Sequence, residues 1–281
     1  MQLLTLKSVL VAIDLDDSSR AAWSSARDLA AAAGAELHAL HVSASNVQAA
    51  FIEGELERIG VSPSDAALHL SSGDPAHEIR ITADKLGVDV IVLGPHRPRQ
   101  DPTRSSGLGS TALAVVTNAA VPCLVSAVPL KLPLARVVAA VDLTDVAQGT
   151  LLVALSWTSA LRARDAEAAV LTALHVIDAR SPVQDENRAR AIDDALAPVR
   201  QAAGGWAGVS LRSETVRAES PAAGITSHAK SHAADLVTLG THGLGVEPIG
   251  RLGSVSAEVI RQTEVPVLLV PPAMWKHGAT L

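Results

Sequence analysis

The stretch DLVTLGTHG, residues 235–243, is followed after nine residues by Gly253-Ser254, and this pattern decides the fold. Residues 235–239 are expected to form a short buried strand, and residues 255–260 are expected to begin a helix. A glycine-rich turn between a strand and a helix lets backbone N–H groups approach an anion, and the helix dipole favours negative charge there. The pattern therefore predicts a phosphate site. The alternative is a surface loop that uses glycine for turns and Ser254 as a helix N-cap.

The composition indicates a globular protein of two domains. The chain has 281 residues, of which 48% are hydrophobic and 19% charged. Aromatic residues make up 2%, so the core must use the aliphatic side chains that fill buried parallel strands. A net charge of −6 and the scarcity of aromatic residues argue against nucleic-acid binding. The single cysteine, Cys123, excludes an internal disulfide framework and is expected to be a core residue.

No segment has the features of a secretory signal or a membrane span. The N-terminus carries only Lys7 before a short apolar run that meets Asp14. The most apolar long stretch, residues 112–130, contains Asn118 and Pro122 and is expected to divide into a helix and a strand. The sequence therefore predicts a cytoplasmic protein without a membrane partner.

The second half of the chain repeats the first. Residues 137–142, VVAAVD, match residues 9–14, VLVAID, and Leu174-His175-Val176 matches Leu40-His41-Val42. Later pairs follow in the same order, with residues 235–240 matching 89–94 and residues 265–268 matching 121–124. This repeat predicts a duplicated domain, with one copy at residues 1–129 and the other at residues 134–275.

Each half alternates strands with helices, which predicts an α/β fold with helices on both faces of a parallel sheet. If the strand order is 3-2-1-4-5, the order reverses between strands one and four. Ligands of such sheets bind outside the carboxyl ends of the strands at that reversal. Asp142 ends strand one of the second half, and the glycine loop follows strand four. Both features are therefore expected at one crevice.

Four features together resemble the universal stress protein superfamily, and the likeness covers nearly the whole chain twice. They are Val141-Asp142, the Leu-His-Val that ends strand two, the helix start at Gly73-Asp74-Pro75, and the Gly-x2-Gly-x9-Gly-Ser loop. The resemblance implies two tandem Rossmann-like domains of the adenine nucleotide alpha hydrolase-like type, each a five-stranded parallel sheet. Because the glycine pattern marks the ATP-binding branch of that family, it also implies a site for ATP, ADP or AMP in the second half.

The resemblance implies a role for each residue of this site. Asp142 would face the ribose hydroxyls or a Mg²⁺ ion, since a bare carboxylate would repel the phosphates. The backbone of Val176 would contact adenine. His242 would donate to a phosphate or only order the turn. The phosphates would be surrounded by Gly240, His242, Gly243, Gly253, Ser254 and Val255.

The first half departs from the glycine pattern. Arg97 stands where the second glycine is expected, and eleven residues separate it from Gly109-Ser110. Arg97 brings a Cβ where the backbone must approach closely, and Pro95 lacks a donor N–H. A normal nucleotide pose is not expected there. The corresponding residues form a candidate second site, comprising Asp14, Val42, Gly94, His96, Arg97, Gly109 and Ser110.

The sequence contains no committed catalytic set, so a regulatory, stress-response protein that binds an adenine nucleotide is the leading hypothesis. The alternatives are a slow ATPase or self-phosphorylating enzyme that uses Ser254, and an interaction scaffold that binds no nucleotide. His228 and His232 are four residues apart on a predicted helix, but no Asp, Glu or Cys at metal spacing accompanies them. They are expected on a plain helix surface, and no metal site is predicted.

Self-association is also expected from the family likeness. The last strands, residues 122–128 and 266–270, would pair the two halves with each other or pair two chains in a homodimer. Protein partners remain unspecified by the sequence.

Overall fold

The computed structural model describes residues 6–43, 49–95, 108–142, 145–165, 167–182, 185–203, 206–242, 251–272 and 274. The strands of the first half are β1 Ser8–Ala12, β2 Glu36–Ser43, β3 Ala67–Ser72, β4 Val90–Leu93 and β5 Cys123–Val125. Its helices are α1 Ser19–Ala33, α2 Ala49–Arg58, α3 Pro75–Leu86 and α4 Ser110–Asn118, with a short 3-10 helix at Pro63–Asp65.

The second half repeats this order of elements. Its strands are β6 Arg136–Ala140, β7 Ala169–Asp178, β8 Val209–Ala218, β9 Leu236–Gly240 and β10 Val267–Val270. Its helices are α5 Asp145–Leu161, α6 Asp185–Ala203, α7 Pro221–Ser231 and α8 Ser254–Gln262. Within the described residues, no helix is long and apolar enough to cross a membrane.

The ten strands form one sheet in the order β3-β2-β1-β4-β5-β10-β9-β6-β7-β8. Each half has the predicted order 3-2-1-4-5, and its strands pair in parallel. The two halves meet where β5 and β10 pair antiparallel, with Leu124 opposite Leu268. The expected pairing of the halves through their last strands is therefore present, over shorter strands than the sequence predicts.

The core lies on both faces of this sheet because successive residues of a buried strand point to opposite sides. Val9 and Val11 of β1 belong to a cluster with Trp23 of α1 and Leu155 of α5. Leu10 belongs to the cluster on the other face, with helices α3, α4, α7 and α8. Helices α1 and α5 also contact each other across the junction of the halves. Continuous aliphatic runs are thus explained by strands that are buried on both sides.

An aspartate that precedes strand four ties it to strand one in both halves. Asp89 Oδ2 accepts hydrogen bonds from the backbone N–H groups of Lys7 and Ser8, at 2.6 and 3.0 Å. Asp235 Oδ2 accepts from those of Ala135 and Arg136, at 2.9 and 2.8 Å. Each carboxylate therefore satisfies two amides at the amino end of the central strand pair.

We predict that Asp235→Ala lowers the free energy of unfolding by about 1.5–3 kcal/mol, because two backbone amides lose a charged acceptor. Urea unfolding of the full chain measures the change. Asp84→Ala is the matched control, since Asp84 lies exposed on α3, and its effect should stay within about 0.5 kcal/mol. Equal effects of the two substitutions would contradict the role assigned to Asp235.

Gly224 lets α7 pack closely against β7 and β8. A Cβ at this position would lie 2.5 Å from Cγ1 of Val176 and 3.0 Å from Cβ of Ala218. Such distances require the helix or the sheet to shift. Gly224 therefore sets how near the face of α7 approaches the two strands.

We predict that Gly224→Ala lowers the free energy of unfolding by about 1–3 kcal/mol through this overpacking. The matched control is Gly54→Ala inside α2, where an added Cβ meets no atom within 4 Å. That control should stabilise the protein by up to about 1 kcal/mol, since alanine favours the helix. Thermal and urea unfolding measure both, and a neutral or stabilising Gly224→Ala would refute the close approach.

Candidate functional site

A cavity of about 330 Å³ opens at the carboxyl ends of β6 and β9, at the predicted reversal of strand order. Its volume lies in the range of small-molecule sites. Seven of the predicted site residues line it, while Gly243 lies outside the described residues. The seven are Asp142, Val176, Gly240, His242, Gly253, Ser254 and Val255.

The two described ends of the glycine loop are fixed against each other by hydrogen bonds. The N–H of Gly253 donates to the carbonyl oxygen of Thr241 at 2.8 Å, and Ser256 Oγ donates to that of Gly240 at 2.7 Å. The N–H of Thr241 donates to the carbonyl oxygen of Val270 at 3.0 Å. The start of α8 is thereby held against the ends of β9 and β10, on the rim of the cavity.

The first turn of α8 presents free backbone donors to this rim. Its N-cap is Gly253, and no side chain caps the helix. By contrast, Asp74 caps α3 and Ser220 caps α7 through side-chain hydrogen bonds. The first amides of any helix have no acceptor within it, so those at the start of α8 are available to an anion.

His242 makes a hydrogen bond next to the loop. Its Nδ1 lies 2.9 Å from Oγ1 of Thr241. This contact is the one expected if His242 orders the turn. His242 also lines the cavity, where its ring can reach a ligand.

Two polar residues of the cavity wall are not among the predicted site residues. His175 Nδ1 donates to the carbonyl oxygen of Val141 at 2.9 Å, which leaves Nε2 as the acceptor of the ring. Nε2 of His175 and Oγ1 of Thr150 are buried without a hydrogen-bond partner among the described residues. Buried polar groups normally have partners, so these atoms are candidates for contact with a ligand. The repeated Leu-His-Val drew attention to His175, whereas no sequence signal singled out Thr150.

Burial lowers the pKa of His175 from its ordinary value, because the imidazolium form is poorly solvated there. The charge of Arg188 also lowers this pKa, whereas the hydrogen bond to Val141 and the charge of Asp142 act to raise it. The neutral ring is therefore favoured in the folded protein near neutral pH.

This shift makes stability depend on pH in a defined direction. The unfolded chain takes up the proton at higher pH than the folded chain, so stability falls as the pH drops below about 6.5. We predict that His175→Gln makes the decrease between about pH 7 and pH 5 shallower than in the wild type, as measured by urea unfolding. His77→Gln, which replaces an exposed histidine, should keep the wild-type slope. A His175→Gln slope equal to that of the wild type would count against this role.

The first half contains a corresponding cavity of about 350 Å³. Asp14, Val42, Gly94, Gly109 and Ser110 line it, while His96 and Arg97 lie outside the described residues. The hydrogen bond of His175 is repeated in this half, where Nδ1 of His41 donates to the carbonyl oxygen of Ile13 at 2.9 Å, although His41 is not part of the cavity lining. The departure from the glycine pattern therefore does not remove the cavity.

The expectation for His228 was wrong. Its side chain is 5% exposed and faces β8, where Nδ1 lies 3.9 Å from Oε2 of Glu214. The helix carries the histidine toward the sheet, and a carboxylate from a distant part of the sequence joins it. Sequence spacing could not reveal this because Glu214 belongs to a strand and not to α7.

Cys123 is a core residue, as the sequence predicts. It lies in β5 and is 1% exposed. Burial raises the pKa of its thiol to about 12, so the thiol stays protonated at neutral pH. A nucleophilic role for Cys123 is therefore not supported.

Comparison with known proteins follows the same two-part division. The model of the Universal stress protein family matches residues 5–127 and again residues 134–271. A universal stress protein from Archaeoglobus fulgidus DSM 4304 is 18% identical with a TM-score of 0.67, over 95% of this chain and 99% of that chain. A functionally unknown protein from Pseudomonas aeruginosa PAO1 is 19% identical with a TM-score of 0.66, over 97% of this chain and 95% of that chain. No curated protein matches.

Proposed function

Because the chain belongs to the universal stress protein family through both of its halves, we propose that its second half binds ATP or a related adenine nucleotide. The protein is then a regulatory stress-response protein with one nucleotide site, in the domain at residues 134–275. The domain at residues 1–129 carries the degenerate cavity. A cytoplasmic location stays a prediction.

One observation carries this proposal. Residues that the sequence assigns to a nucleotide site from two separate segments, Asp142 and the Gly253-Ser254 pair, line a single cavity at the reversal of strand order. The parallel pairing of β6 with β9 brings the ends of these two strands to one edge of the sheet, and the residues found there are an acidic side chain and a glycine-serine helix start that suit a nucleotide. This combination of residues around one cavity supports a common ligand.

The chemistry of the wall fits the parts of such a nucleotide. The uncapped start of α8 offers amides to the phosphates, where Ser254 adds a hydroxyl donor. Apolar side chains from the strands and α7, including Leu174 and Ile225, suit the faces of an adenine ring. The unpartnered Nε2 of His175 and Oγ1 of Thr150 can pair with polar atoms of the ligand.

Asp142 fits either of two roles. Its carboxylate at the cavity wall can accept hydrogen bonds from ribose hydroxyls, or it can bind a Mg²⁺ ion that accompanies the phosphates. A bound Mg²⁺ would neutralise phosphate charge beside the carboxylate. Both roles keep Asp142 at the nucleotide.

We expect that equilibrium dialysis with labelled ATP detects one nucleotide per chain, and that Gly253→Arg weakens binding by about tenfold or more. A bulky side chain at the N-cap of α8 would occupy the space of the phosphates. Gly109→Arg is the matched control, because Gly109 is the N-cap of α4 in the first cavity. It should bind ATP as the wild type does, with circular dichroism confirming that both variants fold.

Four results would contradict the proposal or favour one of its alternatives. Retained binding in a folded Gly253→Arg variant would show that the site assignment is wrong, and loss only in Gly109→Arg would move the site to the first half. Absence of co-purified nucleotide in native mass spectrometry, together with no ATP binding, would favour the scaffold alternative. Release of phosphate or added mass after incubation with Mg-ATP would instead indicate the slow-enzyme alternative.

A further inference from the structure

A cluster of three potential metal ligands lies where α7 crosses β8, which is the edge strand of the second half. We call it the Glu214 cluster; it consists of Glu214 of β8, His228 of α7, and His232, the C-cap residue directly after α7. One ligand atom from each residue lies within 4.8 Å of the others. None of the three residues belongs to the lining of the nucleotide cavity.

The spacing along α7 brings the two histidines to one side of the helix. His228 and His232 are one helical turn apart, and their rings stack with centroids 4.0 Å apart and planes tilted by 21°. Gly224 lies one turn before His228, on the side that approaches Val176 and Ala218. His228 lies on the same side of α7 as Gly224. The close packing at Gly224 therefore holds His228 against β8, the strand that carries Glu214.

His232 already has the hydrogen bond that orients a metal-binding histidine. Its Nδ1 lies 3.0 Å from the carbonyl oxygen of His228. Ser231 Oγ also lies 3.1 Å from this Nδ1 and 3.1 Å from the same carbonyl oxygen, to which it can donate. An Nδ1–H tautomer of His232 therefore satisfies these contacts and leaves the lone pair on Nε2. Metal-binding histidines commonly donate their second N–H to a backbone carbonyl in this way.

His228 supplies an independent indication of a ligand. Its side chain is 5% exposed, and its Nε2 is buried with no hydrogen-bond partner among the described residues. A buried imidazole without partners loses the hydrogen bonds that it would make in water. Its Nδ1 faces Glu214 at 3.9 Å, which is too long for a hydrogen bond.

The cluster is also accessible. Glu214 is 40% exposed at its side chain, and His232 is exposed at the end of α7. An ion can therefore enter from solvent while His228 anchors the inner side. Tetrahedral zinc sites place neighbouring ligand atoms about 3.3 Å apart, so the ligand atoms must come closer together on binding. The two stacked rings must also turn, so that one lone pair of each points at the same ion.

We propose that the Glu214 cluster binds Zn²⁺ through His228, His232 and the Glu214 carboxylate. Two imidazoles and one carboxylate suit zinc, whereas Mg²⁺ and Ca²⁺ prefer sites made of oxygen ligands. Three protein ligands leave a fourth position for water. Because the site joins the end of α7 to the edge strand β8, bound Zn²⁺ stabilises this side of the second half.

A second histidine pair in the chain provides a built-in control. His38 and His69 lie on β2 and β3 with Nδ1 of His38 and Nε2 of His69 3.2 Å apart, and Nε2 of His38 lies 3.8 Å from Oε2 of Glu36. A nitrogen of each ring is therefore already used in a contact with the other ring. Zinc that binds histidines nonspecifically would also bind this pair, whereas zinc bound at the Glu214 cluster does not need it.

The experiment uses the full chain, without an affinity tag and after chelator treatment, in calorimetric titrations with Zn²⁺, Mg²⁺ and Ca²⁺. We expect one Zn²⁺ per chain and no binding of the other two ions at this site. His232→Ala and Glu214→Gln should each weaken Zn²⁺ binding by about tenfold or more, since loss of a ligand costs at least as much as loss of an orienting partner. His69→Ala should bind as the wild type does.

Co²⁺ gives a second measurement that does not depend on heat. Its visible absorption should appear on binding to the wild type and His69→Ala, and be absent from His232→Ala. Thermal unfolding without metal verifies that each variant folds. Wild-type affinity in either His232→Ala or Glu214→Gln, loss of binding in His69→Ala, or no Zn²⁺ binding by the wild type would overturn the proposal.

Discussion

Both cavities depend on the parallel pairing of strand one with a neighbour on each side. In the second half, β6 pairs with β7 on one side and with β9 on the other. The chain leaves β6 toward α5 on one face of the sheet and leaves β9 toward α8 on the opposite face. Because the two helices diverge, the carboxyl ends of β6 and β9 stay open. The crevice is therefore a consequence of topology.

The first half shows that topology does not fix the chemistry of the crevice. Its cavity has a similar volume, about 350 against about 330 Å³, although the loop sequence departs from the glycine pattern. Counting from the matched aspartates, Thr150 of the second half stands where the first half has Ala22. The unpartnered hydroxyl of the second cavity thus has no counterpart at that position. Both halves therefore have a cavity at the same place in the fold, but the side chains that surround it differ.

The sequence predicts what depends on local pattern and on repetition. Aliphatic runs and the repeat predicted two α/β halves with parallel sheets, whereas the order 3-2-1-4-5 entered as a condition, which the structure fulfils. Asp142 and Gly253 could be placed together because both follow strands that end at the same edge. Thr150 and Glu214 could not be found in this way. Thr150 reaches the cavity only because α5 packs over the sheet, and Glu214 meets the two histidines only because α7 packs over β8.

Helix α7 connects the two proposed sites. Its first turns supply Pro221 and Ile225 to the wall of the nucleotide cavity, and its last turn supplies His228 to the Glu214 cluster, with His232 directly after it. Gly224, next to Ile225, lies against Val176, which also lines the cavity. A helix moves as a rigid body over so few turns, because its backbone hydrogen bonds resist bending. Any displacement of α7 from β7 and β8 must therefore change the cavity wall and the spacing of the cluster together.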